Sequence, residues 1–180
     1  MNKKGFSLME LLAVIIIIGI LSTIGIAAVS SYVQDSRRSA FADLAKMYAE
    51  KVSEDRAKDK LPLDVKDKEA ILLPIGDYKL DTDDEHETAY GTLDLNRSYV
   101  VLTNNGNVYN YYVFMIDDSN HGMVNVEYSE IDKDKVTIEE AELSRILNYR
   151  SLNATSVLTV GSNDYKVKQV YSQFVVLKHD

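Results

Sequence analysis

A short constellation of reactive groups opens the chain: Lys3 and Lys4, a Gly5-Phe6 junction, and Glu10 four positions beyond the phenylalanine. Glu10 stands at the head of Leu11 to Val29, LLAVIIIIGILSTIGIAAV, and no other charged side chain occurs before Asp35. Placing an ionisable group within a bilayer costs roughly 2.5–3.5 kcal/mol on insertion scales, so this carboxylate calls for a partner. Other chemistry is sparse. The chain has no cysteine, which excludes disulfides, thiolate zinc sites and a cysteine nucleophile. No serine sits in a Gly-x-Ser-x-Gly elbow, no glycine loop suits a phosphate, and the carboxylates are dispersed among mixed charges, so no enzyme is expected. His86, His121 and His179 show no ligand spacing. The acidic run Asp81-Thr82-Asp83-Asp84-Glu85-His86-Glu87 has oxygen ligands for calcium but lacks the spacing and turn glycine of an EF-hand. It reads as a solvated loop, and neither metal nor cofactor is expected.

The elements that position these groups follow from patterning. A helix of about 20 apolar residues crosses the roughly 30 Å hydrocarbon layer. Lys3 and Lys4 precede it, which places the short N-terminus in the cytoplasm and the chain after residue 30 outside. A removed secretory signal fits less well: the apolar run is long, a carboxylate heads it, and the helical pattern continues past Ala28-Val29-Ser30. Between Gly25 and Pro62 there is no glycine or proline, and Val33, Arg37, Phe41, Leu44, Tyr48 and Val52 recur at steps of three and four. Asp35, Lys46, Glu50, Glu54 and Lys58 make the opposite, solvated face. One helix from Phe6 to about Lys60 would be about 80 Å long at 1.5 Å per residue.

Lys3-Lys4-Gly5-Phe6-Ser7-Leu8-Met9-Glu10-Leu11-Leu12 resembles the prepilin processing motif of type IV pilins and pseudopilins: basic leader, glycine, phenylalanine, and glutamate as the fifth mature residue. The resemblance covers about the first 35 residues closely. It implies that a prepilin peptidase cuts between Gly5 and Phe6 and that the Phe6 amine is methylated. Gly5 gives the protease an unhindered backbone, and the new amine is a cation that Glu10 of a neighbouring subunit can neutralise, so Glu10 sets register. Leu11, Leu12, Gly19 and Gly25 complete the assembly residues. The family usually has a proline in the distal membrane region; Gly25-Ile26-Ala27-Ala28 has none, which leaves Gly19 and Gly25 as the places for bending or melting on assembly. Many members also close the C-terminal region with a disulfide, which this chain cannot do; with its lysine-rich style this leans toward a Gram-positive source.

Composition then divides the chain: a leader over 1–5, a transmembrane or filament-core helix over 6–34, an amphipathic continuation over 35–60, a connecting loop over 61–96 and a β-sheet head over 97–180. Both prolines, Pro62 and Pro74, fall in the connector, where a short helix over Lys66 to Leu73 is expected. Tyr-, Val- and Phe-rich runs at Ser98 to Thr103, Val108 to Ile116 and Met123 to Tyr128 read as strands, the first two joined through Asn104-Asn105-Gly106-Asn107. Thr137-Ile138-Glu139-Glu140 reads as a capping box opening a helix over 137–147. Further strands are expected at Ser156 to Val160, Tyr165 to Ser172 and Phe174 to Lys178. Tyr109, Tyr111 and Tyr112 are assigned to sheet packing in preference to an adhesive patch.

These expectations make an α+β chain of type IV pilin fold, a long N-terminal helix whose second half packs on an antiparallel β-sheet. The chain's net charge is −8, and Lys3, Lys4 and Glu10 contribute +1 of it, so the part after residue 34 carries −9. That acidity argues against a nucleic-acid partner, which would need a positive surface. The implied role is a pilus subunit, single-pass in the cytoplasmic membrane before assembly and extracellular after it. Its partners would be copies of itself, the prepilin peptidase, an inner-membrane assembly platform with its ATPase, and lipid. Adhesion, motility, aggregation and DNA uptake are uses of such filaments that the resemblance does not choose among. Two alternatives stand beside it: a minor pilin or pseudopilin of a type II secretion or competence system, and a membrane-anchored extracellular binding module.

Overall fold

The computed structural model describes residues 7–78, 80 and 86–180, and the chain divides into two units, Met1–Arg37 and Arg38–Asp180. A long N-terminal helix is followed by an antiparallel sheet, an α+β arrangement consistent with a pilin fold. The helix, α1, runs over Leu8–Ala57 without a break at Gly19 or Gly25. Asp81 to Glu85, most of the acidic run considered for calcium, lie outside the described residues. Among the described residues no group of three or more histidines and carboxylates is placed to hold a metal ion.

In the second unit the strands are β1 (Glu69–Pro74), β2 (Tyr99–Asn105), β3 (Val108–Ile116), β4 (Gly122–Glu127), β5 (Val157–Val160), β6 (Asn163–Val170) and β7 (Val175–Lys178). They form one sheet in the order β4-β3-β2-β1-β7-β6-β5, each neighbouring pair antiparallel. The helix segment from Phe41 onward buries Phe41, Ala42, Ala45, Tyr48, Ala49 and Val52 against Ile71, Leu73, Val100, Leu102, Val113 and Met115. The buried stripe differs from the expected one: Leu44 is only partly buried and Val33 is exposed, while three alanines take their place. Alanine carries little hydrophobic signal but lets a helix backbone approach a sheet closely. Full burial of Phe41 and Tyr48 contributes the larger share, about 1.5–3 kcal/mol for such a side chain. At the end of α1, Arg56 Nε donates to the Tyr111 hydroxyl at 2.6 Å, and its guanidinium lies 4.4 Å from the Tyr109 ring centroid. Tyr111 is buried, so these tyrosines do serve packing.

Three expectations are corrected. The connector over 61–96 contains β1, the strand at the centre of the sheet order, where a loop and a short helix over 66–73 were expected. The sheet therefore begins at Glu69, ahead of residue 97. β1 is covered on both faces: Ile71 and Leu73 join the core under α1, and Ala70 and Leu72 join a second core on the other side. A strand buried on both faces has no period-two alternation, and a short apolar run looks alike as helix or strand.

The helix expected over 137–147 is reduced to α2, Glu140–Leu143. Thr137 instead bridges to Gly122 through both of its backbone groups, at 2.9 and 2.8 Å. Arg97 then captures the Leu143 and Ile146 carbonyls at 2.7 and 3.1 Å, ending the helix early. Leu143, Ile146, Tyr149 and Leu152 from this stretch fill the second core with Tyr99, Phe114, Leu158, Tyr165 and Leu177.

The Asn-Gly hairpin forms as expected, with Asn105 opposite Val108 and both Gly106 and Asn107 at positive φ, as a two-residue hairpin turn requires. At the far ends of the sheet, the Asn125 side chain exchanges two hydrogen bonds with Gly161, at 2.9 and 2.7 Å. A side-chain amide there stands in for a strand partner between β4 and the β5–β6 turn.

Lys168 Nζ donates to Glu69 Oε1 at 2.5 Å, and this hydrogen bond, opposed by burial, holds the Glu69 carboxyl below the usual range. A depressed pKa adds stability above the unfolded value, near 4.3, that is lost as pH falls through the folded value. Glu69→Gln is therefore expected to lower stability at neutral pH, with the difference from wild type closing below about pH 4. Denaturation followed across pH checks this; a difference that stayed constant down to pH 2 would refute it.

Candidate functional site

Of the residues singled out in the sequence, Glu10, Leu11 and Leu12 lie at the start of α1, and Gly19 and Gly25 lie further along it. Gly5 and Phe6 lie outside the described residues. Glu10 lies in the first turn, where a carboxylate meets the positive end of the helix dipole. Its Oε2 accepts from the Ser7 backbone N–H at 2.8 Å, while the Glu10 N–H donates back to Ser7 Oγ at 3.3 Å. This reciprocal pairing is a capping box. It satisfies the Ser7 N–H, which a helix start otherwise leaves without a partner, and adds a second acceptor to the Glu10 N–H, which also donates to the Ser7 carbonyl at 3.1 Å. Ser7 was not among the residues picked from the sequence, although Ser-x-x-Glu ahead of an apolar run is a readable signal for it.

The second oxygen of Glu10, Oε1, accepts nothing from a described residue. The carboxylate is thus oriented by the helix yet keeps capacity for an outside donor. A fixed anion with one oxygen unspent can receive an ammonium without giving up its internal hydrogen bond.

Around it the surface is aliphatic. Leu8, Met9, Leu11, Leu12, Ile15, Ile16, Ile18 and Leu21 are all exposed, Leu11 at 58% and Leu12 at 52%. Ser22 and Thr23 turn their hydroxyls onto the Ile18 and Ile20 carbonyls, at 2.7 and 2.8 Å. These polar side chains ask nothing of their surroundings, as an apolar environment demands. A methyl group built on Gly19 would meet no atom within 4 Å, so packing within the chain does not require glycine there. Gly25 lies within the same continuous helix. Among the described residues no helix is long and apolar enough to cross a membrane.

Ser7→Ala is expected to remove the cap and speed amide hydrogen exchange at Leu8 to Leu11, whereas Ser7→Thr keeps both slow. Exchange measured by NMR in micelles checks it, and equal protection in Ser7→Ala and wild type would refute the capping role.

Residues 1–26 match the family model for the prokaryotic N-terminal methylation motif. No curated protein matches the chain, and no solved structure does. The matched segment and the capped helix start coincide, and the motif supports a prepilin of pilin-like or pseudopilin-like kind.

Proposed function

We propose that the protein is a structural subunit of a type IV pilus-like surface filament. In this reading the prepilin peptidase cleaves between Gly5 and Phe6, the Phe6 amine is methylated, and the helix spans the cytoplasmic membrane once until an assembly platform and its ATPase extract it. The observation that carries it is the methylation motif over residues 1–26 laid on a helix whose Glu10, among the described residues, keeps one carboxylate oxygen unspent amid exposed aliphatic side chains.

The physical logic is pairing. Methylation leaves the Phe6 amine a cation, and a cation stranded in an apolar bundle costs several kcal/mol. Glu10 of an adjacent subunit offers the compensating anion, so a wrongly staggered subunit leaves both charges bare. Leu11, Leu12 and the isoleucine run supply the apolar contact between helices. Gly19, with open space around it, permits close approach of a neighbouring helix or local bending. The role is assembly, with no catalytic step assigned to the chain. A pseudopilin of a secretion or competence system is the second reading, favoured by the same motif, since the processing signal is shared between the two.

Two measurements test the proposal. Mass spectrometry of the mature chain is expected to show an N-terminus at methylated Phe6; an intact Met1 start, or cleavage near Ser30, refutes it. Glu10→Val is expected to leave membrane insertion intact and to abolish or sharply reduce incorporation into sheared fibres. Normal fibre yield from that variant would overturn the pairing. Shearing also separates the two readings, because a pilus subunit is recovered as the dominant fibre component and a pseudopilin is not.

A further inference from the structure

A cleft of about 550 Å³ opens in the Arg38–Asp180 unit, within the 300–1,000 Å³ range of small-ligand sites. Four stretches of chain build it: one face of α1, the segment after it, the end of β1 with the turn that follows, and the β6–β7 turn. Six polar side chains line it: Lys51, Asp55, Lys60, Asp77, Tyr78 and Gln173. Among the described residues none of these six makes a side-chain hydrogen bond or salt bridge within the protein. Burial, with the Asp55 and Asp77 carboxylates nearby, keeps the Tyr78 hydroxyl protonated beyond the ordinary phenol range, so it stays a donor.

The composition of the lining decides the ligand class. Two ammonium groups and two carboxylates cancel, so neither a phosphate nor a cation gains a net field there. A wholly apolar ligand would strip water from six polar groups and return no hydrogen bonds, at a cost of about 1–3 kcal/mol for each group left unpaired. A neutral ligand with many hydroxyls fits both conditions. Each hydroxyl donates to a carboxylate and accepts from an ammonium, and the Gln173 amide does both. Pro62, Leu73, Pro74 and the partly buried Phe174 offer apolar walls for the C–H face of a ring.

We propose that this cleft binds a neutral saccharide, with Asp77 and Gln173 as hydrogen-bonding residues at its exposed rim. The lining residues come from one unit of one chain, so the proposal does not rest on the filament reading.

The test uses the full chain in dodecylphosphocholine micelles, since glycoside detergents would compete. Methyl glucoside, methyl galactoside and N-acetylglucosamine are titrated while saturation-transfer NMR is recorded, with inorganic phosphate and adenosine in parallel. The expected result is saturable millimolar binding of at least one sugar and none of phosphate or adenosine. Asp77→Ala and Gln173→Ala, both at exposed positions free of internal bonds, are each expected to weaken it about tenfold. Tighter binding of a polysaccharide ending in the same sugar assigns a glycan as the source, and equal binding assigns the free sugar; either supports the site. Failure of all sugars to bind at tens of millimolar, sugar binding unchanged in both variants, or preferential binding of phosphate or adenosine overturns it. Failure here leaves the filament reading untouched, because fibre yield and N-terminal processing are read separately.

Discussion

Apolar surface left in water is unfavourable by about 25 cal/mol per Å², and the first part of α1 presents such surface all round. Among the described residues of its own unit nothing packs over these aliphatic side chains. This constraint organises what the segment can do, and in the proposed filament its exposed isoleucines and leucines would be covered by lipid before assembly and by other helices after it. The polar groups within it are accommodated in advance. Ser22 and Thr23 bond to their own helix, and Ser7 and Glu10 cap each other, which among the described residues leaves one carboxylate oxygen unspent. In the proposed filament that oxygen would give direction to an otherwise non-directional driving force, because hydrophobic contact tolerates many staggers and an ion pair tolerates few.

The Arg38–Asp180 unit solves a different problem with different means. A sheet with apolar side chains on both faces needs two covers, and the chain supplies α1 for one and the irregular stretch around Leu143 to Leu152 for the other. Side chains repeatedly stand in where backbone pairing stops. Arg97 takes up the carbonyls at the end of α2, Asn104 donates to the Val65 carbonyl at 2.7 Å, and Asn125 pairs with Gly161. The chain has no cysteine, and these buried or half-buried polar contacts, with the Arg56 stack on β3, add ties between distant segments to those of the sheet and the two cores.

Much of this was legible from residue order. The Gly-Phe junction with its spaced glutamate, the long helix and the Asn-Gly hairpin depend on local chemistry, and local chemistry is written in neighbouring residues. Ser7 was equally legible, since its role rests on a three-residue spacing, and it was passed over in favour of the more conspicuous glutamate. β1 was not. Glu69 to Pro74 borders a proline and sits among charges, and its strand character arises only because β2 and β7 flank it and two cores cover it. The alanines at 42, 45 and 49 escaped for a related reason: small side chains become core only when something lies close above them. The shortened α2 had a capping-box sequence, but Gly122 competed for the Thr137 backbone and Arg97 for the carbonyls beyond Leu143.

By itself the sequence determined the N-terminal methylation motif, the continuous helix and the α+β class, because each follows from spacing along the chain or from which residues avoid water. Only the tertiary structure decided the strand order, the membership of the two cores, and the cleft whose six polar side chains remain unspent among the described residues. Those features depend on groups far apart in the chain meeting in space, or on which of several local partners a group finally takes, and residue spacing alone leaves both choices open.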